Sequence, residues 1–386
     1  MRRPPLPSPC ALMYLFAVFA LLGCEDMDGP DAGPHDAGSE DAGAFEEIAW
    51  PALDADQREA RLARTEGAID VVIDADLGNE IDDQFAVVQA LLAPERLRVQ
   101  ALYAAPWSLS PELFASPAFT SALDARLLRE DLAARGVNIE DIPIIEPRTG
   151  ARRAALIAAE ITDLLDRADV PVFGGAGHYL GTDPRAPVTS AASADLITRA
   201  REERDGPLYV LCLGALTDVA SALLLAPDLV ERIVVVWASA YPTFWPYPNG
   251  SYNLAQDIPA ADVVLESGVP FVYVPGYFVA EELRVTRPEM DAHLGEGPVA
   301  RFLFDLYDGH PLDGDHYAGR SKVLWDMAVI GWALDPNWFE SRLVTTPTLD
   351  SDVRWVADAD GVAMREVLDV SRDALMRDFL ERVRDR

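Results

Sequence analysis

The sequence predicts an α/β protein built on a mainly parallel, open sheet with helices on both faces, a Rossmann-like arrangement. Three observations predict it. From residue 68 onward, short apolar runs of strand length alternate with segments of helix length and period. Those runs are apolar at successive positions, as strands covered on both faces must be. Half of the residues are hydrophobic, enough to furnish a core on each side of a sheet within one large domain.

The elements follow in order. AIDVVID (68–74) reads as a buried strand and DDQFAVVQALLAP (82–94) as the helix after it. RVQALYAA (98–105) is a second strand, ARRAALIAAEITDLLDRA (151–168) a long helix and VPVFGG (170–175) a short strand. GPLYVLCLG (206–214) is a strand followed by the helix ALTDVASALLLAP (215–227), and RIVVVWAS (232–239) is another strand. DIPAADVVLESG (257–268) is a helix and VPFVYVPG (269–276) a strand. KVLWDMAVIGWALDP (322–336) is a late helix. WVADADGVAMREVLDV (355–370) reads as a hairpin turning at Asp-Gly, and SRDALMRDFLERVR (371–384) as a closing helix. In such sheets ligands gather at the carboxyl ends of strands.

The chain carries 64 acidic against 32 basic residues, a formal charge of -32. That balance argues against nucleic acid, or an anionic membrane, as partner of the folded surface. Cys212 lies in an apolar run and reads as a buried, inert strand cysteine, so the domain has no disulfide framework.

The N-terminus reads as an address. Arg2 and Arg3 precede an apolar run over 11–24 that is shorter than the ~20 residues a spanning helix needs. It ends Leu21-Leu22-Gly23-Cys24, which resembles the bacterial lipobox. We therefore expect a signal peptide over 1–23, a lipid on Cys24, a disordered acidic tether over 24–66 and one domain over 67–386. This describes an exported lipoprotein, held at a cell-envelope membrane by its lipid alone.

The most informative stretch is VVIDADLGNEIDDQFAVVQALL. Asp74 and Asp76 end the first strand, and Asp82 and Asp83 open the next helix. Four carboxylates crowded at one turn repel each other unless a cation neutralises them. A helix cap needs only one of them. Oxygen-only donors suit a hard ion, and Ca²⁺ better than zinc. Asp326 stands in an otherwise apolar stretch, where a buried carboxylate needs a partner such as that cation.

This stretch resembles the N-terminal signature of the inosine/uridine-preferring nucleoside hydrolases: apolar strand, Asp-x-Asp, loop, Asp-Asp, apolar helix. The loop here is two residues longer than the common form, which accommodates Asn79 and Glu80. Further likenesses follow in order: PVFGGA (171–176), LGALTDVASAL (213–223) with Asp218 where Asn is usual, SYNLAQDIPAADVVL (251–265) and SKVLWDMAVI (321–330). Together they span roughly residues 68 to 335.

The resemblance implies a Ca²⁺ site of Asp76, Asp83, the Leu213 carbonyl and Asp326. It implies that Asp76 is the base for a water made more acidic by the metal, which attacks the anomeric carbon of a nucleoside or related riboside. Asp82 and Asn253 would bind ribose, and Asp74 would orient the loop from behind. The match fails on the leaving-group side. Several members carry a His directly before the late Asp, where this chain has Trp325, which can stack on a base but cannot donate a titratable proton. His310, His316 and His178 are candidates for the acid, with His316 placed at the substrate, and Asn249 is an off-register candidate for a ribose contact. The loop YPTFWPYPNGSY (241–252) offers an aromatic wall for a flat aglycone. Two rival readings stand beside this one. A non-catalytic nucleoside- or sugar-binding lipoprotein would account for the missing His. A haloacid-dehalogenase-type phosphatase would use Asp74-Ala-Asp76, although Gly78 stands where that family has Thr or Val. The sequence leaves homo-oligomerisation open.

Overall fold

The structure, a computed structural model, describes residues 48–63, 67–120, 138, 144–181, 183–309, 321–384 and 386. Its centre is an eight-stranded sheet in the order β3-β2-β1-β4-β5-β6-β12-β9. The strands are β1 (Ile69–Ala75), β2 (Leu97–Ala104), β3 (Val172–Gly174), β4 (Leu208–Cys212), β5 (Ile233–Ser239), β6 (Phe271–Pro275), β9 (Phe339–Thr345) and β12 (Ala363–Val370). All pairings are parallel except that of edge strand β9, which runs antiparallel to β12. Two small ladders, β7 (Arg284–Val285) with β8 (Lys322–Val323) and β10 (Thr348–Leu349) with β11 (Trp355–Val356), lie outside the sheet.

Strand alternation splits the apolar residues between two cores. Val71, Ile73 and Ala75 face one, together with Tyr209 and Leu211. Val72 faces the other, together with Val210 and Cys212. Helix α2 (Asp82–Leu91) is buried at every position, which is why its sequence lacks a polar stripe. It packs against α8 (Met327–Leu334), also buried throughout. Helices α3 (Pro147–Leu164), α4 (Ala191–Ala200), α5 (Thr217–Leu225) and α7 (Ile258–Glu266) cover the rest of the two faces, and α9 (Arg372–Val383) closes the chain. The sheet order runs outward in opposite directions from the β1–β4 pair. The crevice at the carboxyl ends of β1 and β4 is therefore the switch point where this architecture opens for a ligand.

Four expectations are corrected. Residues 355–370 do not fold back as one hairpin: β11 pairs with β10, while β12 pairs with β9 and β6. The sequence shows no strand at β9 because it is an edge, with Glu340, Arg342 and Leu343 partly or fully open to solvent. The late helix starts only at Met327, because Lys322 and Val323 are extended in β8. The fold also begins ahead of residue 67. Helix α1 (Ala55–Leu62), capped by Asp54, buries Leu62 and sends Arg58 to the carbonyls of Gly268 and Ala363.

Candidate active site

Asp74 and Asp76 leave the carboxyl end of β1, and Asp82 and Asp83 form the first turn of α2. Asp326 immediately precedes α8. The packing of α2 on α8 brings the two acidic ends together. Asp82, Asp83 and Asp326 each place a carboxylate oxygen within 4.8 Å of the others, and all three are buried. Asp76, 1% exposed, joins them through a carboxyl–carboxyl contact with Asp83, and Asp82 makes another with Asp326. Helix capping does not explain these acids. The residue before α2 is Ile81, and neither Ile81 nor Asp326 makes a side-chain cap bond.

Glycines permit the crowding. Gly78 turns the loop at φ +92°, a left-handed conformation that favours glycine. Gly214, after β4, lies so near Asp76 that a Cβ there would stand 2.8 Å from the aspartate's own Cβ.

Without a counterion the arrangement is electrostatically costly. Burial raises Asp76 to about 8, with Asp82 adding repulsion, and raises Asp82 to about 6 despite help from Lys322. Burial and the neighbouring carboxylates push Asp83 and Asp326 well above the usual range. Asp83 Oδ1 is buried without a hydrogen-bond partner. Two carboxyl–carboxyl contacts require either a proton in each or a cation among them. A hard divalent ion with oxygen ligands fits this donor set.

The remaining sequence-derived candidates fall into three groups. Leu213 is in place: its N–H donates to the Asp74 carbonyl (2.8 Å), and its own carbonyl accepts from Asn253 Nδ2 (2.5 Å). Asn253, in α6 (Tyr252–Gln256), also donates to the Ala238 carbonyl, so its amide nitrogen is engaged by backbone. Trp325 adjoins Asp326 and meets Tyr277 edge to face at 5.5 Å. Tyr277 stacks on Tyr241 at 4.2 Å and Tyr241 on Trp245 at 4.5 Å, so Trp325 heads a continuous run of aromatic rings.

Two candidates are fully buried. Asn249 is 0% exposed and accepts from the Tyr241 N–H, so it braces the aromatic loop. Asp74 carries its carboxyl beside the first residue of the loop, close enough to Asp76 for the two charges to repel. It is fully buried, next to Asp218 and Cys212 as well as Asp76, and among the described residues neither oxygen has a hydrogen-bond partner. His178 is exposed, with Nδ1 against the Tyr179 carbonyl. His310, His316 and Cys24 lie outside the described residues.

Two contacts escaped the sequence reading. Asn79 donates to Asp76 Oδ2. Lys322, buried in β8, places Nζ 2.5 Å from Glu80 Oε2. A signal for the second was available: Lys322 is the only lysine of the chain.

Comparison with known proteins bears on this geometry. Residues 124–371 match the family model described as inosine-uridine preferring nucleoside hydrolase; the match begins after the aspartate loop. The pyrimidine-specific ribonucleoside hydrolase RihA of Enterobacter sp. (strain 638) is 26% identical over 279 residues, covering 70% of this chain and 81% of that protein. RihA of Klebsiella pneumoniae (strain 342) is likewise 26% identical over 279 residues, with the same coverage. Among solved structures, the purine-preferring ribonucleoside hydrolase from Gardnerella vaginalis superposes with a TM-score of 0.57 at 19% identity, covering 81% of this chain and 98% of that one. The plant nucleoside hydrolase PpNRh1 gives 0.58 at 19% identity, over 82% and 98%.

Proposed function

The chain belongs to the inosine-uridine preferring nucleoside hydrolase family and is an N-ribohydrolase; from that premise we propose a calcium-dependent cleavage of ribonucleosides or related ribosides in which Asp76 activates the water. The observation that carries this reading is the convergence of Asp76, Asp82, Asp83 and Asp326 in a buried cluster otherwise short of positive charge.

Asp76, Asp83, Asp326 and the Leu213 carbonyl would hold the ion. Calcium bound there would supply the positive charge that makes water more acidic and gives ribose hydroxyls a fixed place. Asp76 then takes the proton of the water as oxygen approaches the anomeric carbon, and the C1′–N bond yields its electron pair to the base. Asn79 donates to Asp76 Oδ2 and so fixes the orientation of this carboxylate. Asp82 accepts from the ribose hydroxyls, and Asn253 Oδ1 is the second acceptor. Trp325, with Tyr277 beside it, offers a face on which a flat aglycone stacks.

The test is release of ribose from a panel of purine and pyrimidine nucleosides, with and without EGTA. Cleavage abolished by EGTA and by Asp76→Ala supports the reading. Nucleoside binding without release would favour a binding protein, and activity indifferent to EGTA would remove the ion.

We also propose that the mature chain is anchored through a lipid on Cys24. Helix α1 docks at the amino ends of β5, β6 and β12, the pole opposite the carboxylates, so a tether leaving it would start away from the site. Cys24→Ala should move the protein from the membrane to the soluble fraction; an unchanged membrane fraction would reject the anchor.

A further inference from the structure

Of the 32 lysine and arginine residues, one alone is lysine, and it stands at the carboxylate cluster. The contrast with the arginines is physical. Arginine presents a broad planar fork, whereas lysine is a compact point charge that fits a narrow buried slot. The Lys322 side chain is 7% exposed, and its ammonium sits 2.5 Å from Glu80 Oε2. It also lies close enough to Asp82 for the two charges to attract. Glu80 and Asn79 belong to the lengthened loop between β1 and α2, and both touch the site: Asn79 on Asp76, Glu80 on Lys322. The loop and the lysine thus form one unit.

We propose that Lys322 is a positioning residue of this site: it latches the lengthened loop through Glu80, serves as fixed countercharge to Asp82, and sets the cation affinity of the cluster below what the carboxylates alone would give. This rests on the reading of the cluster as the centre of a cation-assisted ribohydrolase. The physical consequence is a pair of effects of opposite sign. A positive charge inside the cluster repels an incoming divalent ion, so its removal should tighten calcium. The same removal frees the loop and leaves Asp82 without its partner, so ribose binding should weaken. A lysine that merely stabilised the fold would move both in the same direction.

The experiment is calorimetric titration of calcium into the chelated full chain, with steady-state kinetics on a cleaved nucleoside. Lys322→Met should bind calcium at least about threefold more tightly. Its KM should rise about tenfold, with kcat within about threefold. Lys322→Arg keeps the charge and should keep the calcium affinity of the unmodified protein, while its larger head group still raises KM. Glu80→Gln removes one negative charge and should weaken calcium. Calcium binding by Lys322→Met that is unchanged or weaker, in a protein whose melting temperature is retained, overturns the proposal. Should Lys322→Met fail to fold, unchanged calcium affinity in Glu80→Gln overturns it. The two readings fail separately: calcium binding without cleavage of any nucleoside rejects the hydrolase, while the order of calcium affinities among the variants still decides the role of Lys322.

Discussion

The two ends of the sheet treat their acids differently. At the amino end, Asp70 on β1 is met by Arg98 at 2.6 Å and Arg204 at 3.5 Å, and Asp228 by Arg201 at 2.6 Å and Arg232 at 3.3 Å. At the carboxyl end of the same strand, Asp76 faces Asp82 and Asp83, with Asp326 close by and Lys322 the neighbouring cation. Acids are abundant throughout this chain, so their number marks nothing. What distinguishes the site is that, among the described residues, burial is not accompanied by an arginine paired to these acids. Paired, partly exposed acids are surface structure worth little each, whereas unpaired, buried ones hold a place for charge that the chain itself does not provide.

The largest effect should come from Asp76→Asn. Removal of the proton acceptor should lower kcat/KM for a cleaved nucleoside by roughly 10²–10⁴-fold, the range of a general base. A loss under tenfold, measured by ribose release, would assign the role elsewhere.

Metal removal should come next. Calcium at about 100 times its Kd should stabilise the fold by about 2.7 kcal/mol relative to chelated protein. This gain should depend on pH. In the chelated protein Asp82 is raised to about 6 and Asp76 to about 8. Acids whose folded pKa is raised bind more protons when folded. Their contribution to stability is therefore complete below the usual carboxylate range and is lost as pH climbs through 6 and then 8. The calcium-induced rise in melting temperature should thus be greater at pH 8 than at pH 5.5, and a scanning calorimeter reads it. Equal gains at both values would mean that the acids ionise as ordinary surface groups do.

The smallest effect should come from the other end. Asp70→Asn breaks its pairs with Arg98 and Arg204. It should cost about 1 kcal/mol or less of stability, with kcat/KM unchanged within twofold. A large loss of activity there would erase the contrast between the two poles.

Much of this was legible in the sequence, for identifiable reasons. Runs such as 69–75 and 208–212 announce a parallel sheet because both faces of each strand are covered. Strand β9 was hidden because an edge has no such requirement. The aspartate loop was legible because four acids crowd a single turn, yet its meeting with Asp326 depends on α2 packing against α8, a long-range event that local pattern does not encode. The bond from the Tyr241 N–H to Asn249 is hidden in the sequence because a polar residue beside aromatics suits a ligand contact as well as it suits a buried brace. Lys322 carries no local signal of its role, because one basic residue before an apolar stretch suits a solvated position equally well. Its meaning comes from the arginines everywhere else and from Glu80, which the fold delivers from far along the chain.

Calorimetric titration of calcium into chelated protein tests the central claim most directly. The account predicts one ion bound per chain, with binding abolished in Asp83→Asn/Asp326→Asn and untouched in Asp70→Asn. Absence of binding to the unmodified chain, or undiminished binding to the Asp83→Asn/Asp326→Asn chain, would contradict it.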